Sequence, residues 1–251
     1  MYDNIEGVSE VILELVDVGK TESTLVDRPP ILTPRAMVLV QALPGRGKTT
    51  FATKGGRPLI LAVEPKTAAM AHHHNPAAKV YPIDSRESLE RAIAMLCNPI
   101  LADRGYDRVV LDSYSELTER IPSFFGMSYP LQIQDYGSIG NKALAIITAL
   151  QKCPLPSLVI CRSEAKEQGK VNRMVPSANG RSAASLPARC VCTAETRYDE
   201  REGWVIDTSP DEWTQRSGLP WVPGIWRGSA DEFIAMVERG PIALPSTESA
   251  E

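Results

Sequence analysis

The sequence predicts an α/β fold, a mostly parallel sheet flanked by helices with a β-hairpin toward the C-terminus. Three observations carry that expectation. Four short apolar runs, at residues 37–40, 59–63, 109–111 and 158–161, alternate with segments of helical periodicity, and such alternation implies parallel strands joined by right-handed crossovers. The first run leads through a Pro/Gly turn into a helix. Residues 190–195 and 203–208 alternate apolar and polar on either side of the polar turn 197–202, which is the pattern of a hairpin.

Composition bounds the rest. A chain of 251 residues suits one α/β domain with additions better than two small domains. Its 43% apolar and 23% charged residues are those of a globular chain with a packed core. A membrane span needs about 18 consecutive apolar residues. No run approaches that, and acidic residues stand where a signal peptide is basic, so the cytoplasm is the expected location. The five cysteines, Cys97, Cys153, Cys161, Cys190 and Cys192, are scattered and odd in number, which suits reduced thiols; Cys190 and Cys192 read as small buried residues on one strand face. With a net charge of −4, any contact with nucleic acid must come from a local patch.

Residues 1–36 read as an acid-rich N-terminal extension, and 37–240 as the folded domain. Met37 to Val40 form the first strand. Ala42 to Thr49 then fit Gly-x-x-x-x-Gly-Lys-[Ser/Thr] with alanine for the first glycine, the P-loop pattern. Gly45 and Gly47 let backbone N–H groups turn inward around phosphate oxygens, and the following helix offers its positive end to the same anion. Lys48 places a compact charge on the β- and γ-phosphates, and the Thr49 hydroxyl joins the shell of a Mg²⁺ ion. Pro44, Arg46 and Thr50 complete the phosphate-binding stretch, for which ATP is the expected ligand. A plain glycine turn would not require Lys-Thr directly after the second glycine.

Gly55-Gly56 ends that helix, and Leu59 to Val63 form a second strand with Glu64 at its carboxyl end, where open α/β sheets bind ligands. His72-His73-His74 reads as a solvated turn. Asp84-x-x-Glu87 looks like a capping box opening a helix whose Leu89, Ala92, Ile93 and Leu96 share a face. Tyr106 to Ser113 is the third strand, apolar and then acidic, the Walker B pattern. Asp112 is placed to hold Mg²⁺ opposite Thr49, because a hard cation on phosphates wants oxygen ligands; the same residue also suits the N-cap of the helix Tyr114 to Phe125.

A loop at 126–136 leads into a helix from Gly137 to Lys152. Ser157 to Cys161 form the fourth strand, whose end delivers Arg162, Ser163 and Glu164 to the same edge. From Lys166 to Ala188 periodicity is lost and the segment reads as a mobile loop. Arg162, Lys166, Lys170, Arg173, Arg181 and Arg189 face only Glu164 and Glu167 there, six basic residues less two acidic ones, a local balance of +4. Either the loop is a solvated surface, or Lys166, Lys170, Arg173, Arg181 and Arg189 contact DNA. A final amphipathic helix spans Asp231 to Arg239, and 241–251 reads as a disordered tail.

The stretches at 42–52, 58–64, 106–117 and 134–142 together resemble the phage nucleotide-binding proteins of the RecA-like P-loop NTPase class, among them single-strand annealing recombinases of the Sak type. The resemblance covers roughly residues 35–240. It implies a Mg²⁺-dependent ATPase that acts as a homo-oligomer on single-stranded DNA, with a single-strand binding protein as a further partner. It also implies that Glu64 activates the attacking water, that Asp112-Ser113 supports Mg²⁺, and that Arg216 in Gln215-Arg216-Ser217-Gly218 touches phosphate in cis or across a subunit interface. The P-loop serves two other readings equally: a nucleotide phosphotransferase, for which 162–189 would be a lid, and a motor or loader subunit with a protein partner.

Overall fold

The structure, a computed structural model, describes residues 35–168, 171–179, 182–201, 203–209, 219 and 221–240. In chain order it holds β1 (Met37–Ala42), α1 (Lys48–Thr53), β2 (Pro58–Ala62), α2 (Pro65–His74), β3 (Lys79–Pro82), α3 (Arg86–Leu96), a 3₁₀ turn (Pro99–Arg104) and β4 (Arg108–Asp112). Then come α4 (Tyr114–Phe124), α5 (Ile133–Lys152), β5 (Ser157–Gln168), β6 (Val171–Ser177), α6 (Ser182–Arg189), β7 (Cys192–Asp199), β8 (Gly203–Asp207), β9 (Ile225–Trp226) and α7 (Ala230–Arg239).

The described strands form one sheet in the order β3-β2-β4-β5-β1-β7-β8-β9, with β6 paired to β5 off that path. From β3 to β7 every pairing is parallel, and the pairings of β5 with β6, β7 with β8 and β8 with β9 are antiparallel. One strand, β5, stands between β1 and β4, so the P-loop strand and the Asp112 strand are close without being neighbours.

Why the strands read as apolar runs rather than alternations follows from the layers. Met37, Leu39, Leu59, Leu61, Val109, Leu111 and Val159 belong to one core; Val38, Val40, Ile60, Val110, Leu158 and Ile160 belong to a second core on the opposite face. Both faces are therefore buried, the condition under which parallel strands lose their polar face. The first core is closed by α3, α4, α5 and α6, and the second by α1, α2 and α7. On the second face Phe51 of α1 meets Phe233 of α7 edge-on, with centroids 6.0 Å apart. Such a pair contributes about 0.5–1.5 kcal/mol beyond its buried area.

Several expectations are corrected. The described residues between 166 and 188 are not a loop: β5 continues to Gln168 and pairs antiparallel with β6, with Arg162 opposite Ser177 and Gln168 opposite Val171, and α6 follows from Ser182. The pairing of β5 with β1 ends at Arg162, so this arm runs on past the P-loop strand and carries charges where core strands carry aliphatics. Among the described residues its buried positions, Ser163, Val175 and Pro176, include a single aliphatic and make no hydrophobic period, which is why the sequence hides it. The strand β3 and helix α2 were also unforeseen, although Pro65 at the first helical position is a usual start signal. His72–His74 form the last turn of α2 rather than a solvated turn between elements. The cap of α3 is Ser85 with Ser88, not Asp84 with Glu87. Helix α5 begins at Ile133, four residues before Gly137.

Candidate nucleotide-binding site

The P-loop leaves the carboxyl end of β1, and both of its later glycines have the left-handed φ that the turn demands, 74° at Gly45 and 70° at Gly47. Gly47 then caps α1, whose first residues are Lys48 and Thr49. The lysine is buried, at 9% exposure, rather than projecting from an exposed loop. Its ammonium donates to the carbonyls of Ala42 and Leu43, each at 2.8 Å, so it crosses back over the loop. Burial lowers its pKa, and the nearby Asp112 charge opposes that shift.

Asp112 reaches the same cleft because β4 ends there, its last residue in register with Ala62 of β2. The carboxylate is 3% exposed. Oδ2 accepts from Thr49 Oγ1 at 2.7 Å and from Thr67 Oγ1 at 3.3 Å. Burial pushes its pKa up, while the two hydroxyl bonds hold it down. The next residue, Ser113, caps α4 by accepting from the Glu116 N–H at 3.2 Å, so the N-cap role fell one residue later than Asp112.

Glu64 follows β2 and caps α2. Its carboxylate accepts from Ser113 Oγ at 3.4 Å and pairs with Lys66 at 3.0 Å. Arg162, opposite Ala42 in the sheet, is the arm's root. Its guanidinium pairs with Glu119 and lies 3.9 Å from Glu116, both on α4.

One cleft of about 420 Å³ is lined by Pro44, Gly45, Arg46, Gly47, Lys48, Thr49, Thr50, Glu64 and Asp112, so the structure brings together nine of the residues singled out in the sequence. Ser113 and Arg162, also expected at this edge, join them, and the structure adds Lys66, Met70, Glu116 and Trp204 to the lining. Sequence reading missed Thr67 and Trp204 as partners. Thr67 carried a local signal, three residues past Glu64 in a Pro-started helix. Trp204 carried none, because its contact with the P-loop joins residues 157 positions apart.

The proposed DNA contacts are not one patch. Lys166 is exposed on the arm and pairs with Glu164 at 2.7 Å. Arg189 ends α6 beside Val191, whose N–H donates to the Met37 carbonyl at the amino end of β1, the opposite edge of the sheet from the P-loop. Arg173 pairs with Lys166 across the arm through its backbone. Lys170, Arg181 and Arg216 lie outside the described residues.

Residues 35–238 match the family described as an AAA domain. The chain belongs to that family. It is thus a P-loop protein of the AAA-domain family, and its α/β architecture is the one expected: a mostly parallel sheet, helices on both faces and the antiparallel β7–β8 hairpin. Two of the solved structures similar to it stand for the rest. One is a prototypical ATPase from the type III secretion system of pathogenic bacteria, at 12% identity and TM-score 0.45 over 64% of this chain and 52% of that one. The other is the RadB recombinase, at 15% identity and TM-score 0.42 over 69% and 80%. The chain spans about half the length of the secretion ATPase. No curated protein matches the sequence of this AAA-domain chain. Among its described residues no helix is long and apolar enough to cross a membrane.

Proposed function

We propose that the chain is a Mg²⁺-dependent ATPase of the phage Sak-like type, working as a homo-oligomer on single-stranded DNA through its domain at residues 37–240. The observation that carries this reading is the convergence of Lys48, the Thr49–Asp112 pair and Glu64 on one cleft, at the root of an arm that leaves the sheet. The P-loop N–H groups and Lys48 bind and neutralise the polyphosphate. Arg162, held at the cleft by Glu116 and Glu119, supplies a further cation for the terminal phosphate. The Glu64 carboxylate orients the attacking water and accepts its proton.

The donor set fits Mg²⁺: two hydroxyl oxygens and one carboxylate oxygen, all hard ligands, meet at a buried point. Thr49 and Asp112 would hold the ion, which would supply positive charge to offset that of the phosphates. The arm, with Lys166, Lys170 and Arg173, and the adjoining Arg181 are the DNA-facing elements in this reading; Arg189 stands apart at the far edge. Arg216 completes a neighbouring subunit's site, and a single-strand binding protein is the further partner.

Measuring phosphate release from ATP with and without single-stranded DNA tests the proposal. DNA should accelerate release several-fold, with inorganic phosphate as the product. A rate indifferent to DNA removes the DNA reading, and phosphate appearing on a small-molecule acceptor makes the chain a phosphotransferase.

A further inference from the structure

We infer that Trp204 is the base-recognition residue of this cleft, its indole giving the nucleobase a surface to stack on. The inference rests on the cleft being a nucleotide site and adds which part of the nucleotide is read by which side chain. A nucleoside triphosphate is a polyanion at one end and a flat π system at the other. The P-loop, Lys48 and Thr49 account for the anion. Among the described residues lining the cleft, Trp204 is the only aromatic one.

Its position is set by contacts that the sheet alone does not require. The indole lies against the P-loop at Gly47: a Cβ added there would fall 2.2 Å from Cδ2, 2.5 Å from Cγ and 2.7 Å from Cε2, atoms at the centre of the ring system. Gly47 is therefore fixed twice, by its φ of 70° and by the ring beside it. Tyr198, opposite Trp204 in the β7–β8 ladder, meets it edge-on at 5.3 Å and 74°. Thr196 of the same hairpin donates to the Arg46 carbonyl at 2.5 Å, tying the hairpin to the loop. The indole remains partly exposed within the lining. A tryptophan meant only to fill space beside Gly47 would not need to stay open to the cleft.

Stacking of a base on an aromatic side chain is worth about tenfold to a hundredfold in affinity and tolerates any base, most strongly a purine. The test is titration calorimetry of the full chain with ATP and with inorganic tripolyphosphate, in the wild type, Trp204→Phe and Trp204→Ala, each checked for folding by circular dichroism. Trp204→Ala should weaken ATP about tenfold to a hundredfold, leave tripolyphosphate within about twofold, and Trp204→Phe should fall between. Unchanged ATP affinity in both variants overturns the inference. So does an equal loss for ATP and tripolyphosphate, which would make Trp204 a buttress of the P-loop. Lys48→Ala serves as the separate control: it should lose both ligands, and if it keeps both, the nucleotide site itself has been misplaced.

Discussion

Lys48 and Asp112 are two buried ionisable residues whose burial disfavours their charged forms. Neither is there for the stability of the empty protein. Replacing Asp112 with Asn keeps an acceptor for Thr49 and Thr67 while removing a buried charge, so the melting temperature should hold or rise; the Mg²⁺ concentration needed for ATP binding should rise about tenfold or more. Differential scanning fluorimetry with a Mg²⁺ titration reads both. Lys48→Ala likewise should lose nucleotide binding with a melting temperature within about 5 °C of the wild type. At this scale the site was largely legible, because the chemistry of phosphate and Mg²⁺ demands particular residue types at fixed local spacing from Ala42 to Thr49. What stayed hidden was set by distant contacts: Trp204 against Gly47, Thr196 on Arg46, and Lys48 turned back under its own loop.

Helix α1 is only six residues long, and its end depends on side chains from elsewhere. Arg108, fully buried in β4, donates from Nη2 to the carbonyls of Ala52 at 3.0 Å, Lys54 at 3.1 Å and Gly55 at 3.0 Å, and pairs with Asp107 at 2.6 Å. Asn75 at the end of α2 donates to Thr53 at 2.9 Å and to Gly55 at 3.0 Å. Arg108→Met would strand the Ala52 carbonyl, remove one donor each from Lys54 and Gly55, and leave Asp107 without its ion pair, costing about 2–4 kcal/mol, measurable as a lower urea midpoint. The sequence showed Arg108 only as a polar residue opening a strand. The arm makes a second prediction at this scale. Replacing Lys170, Arg173 and Arg181 with alanine should weaken single-stranded DNA binding for all sequences alike and make the log–log salt slope shallower by about 2. ATP affinity should not change. Unaltered DNA affinity and slope would move the DNA contact off the arm.

Across the whole molecule, the sheet order places the ends of β1, β2, β4 and β5 along one edge, and with them the P-loop, Glu64, Asp112 and Arg162. The four central strands were readable because burial on both faces writes them as continuous aliphatic runs between helical patterns. The flanks were less so: β3 is four residues long, and the arm's buried positions among the described residues, Ser163, Val175 and Pro176, are too few and too mixed to write a pattern. That common edge is the basis for the proposal that Glu64 activates water. The most direct test is ATP binding and single-turnover hydrolysis measured on the same samples of wild type and Glu64→Gln. Equal affinity with hydrolysis slowed by a factor on the order of 10²–10⁴ is the predicted result. Hydrolysis by Glu64→Gln at the wild-type rate would contradict it.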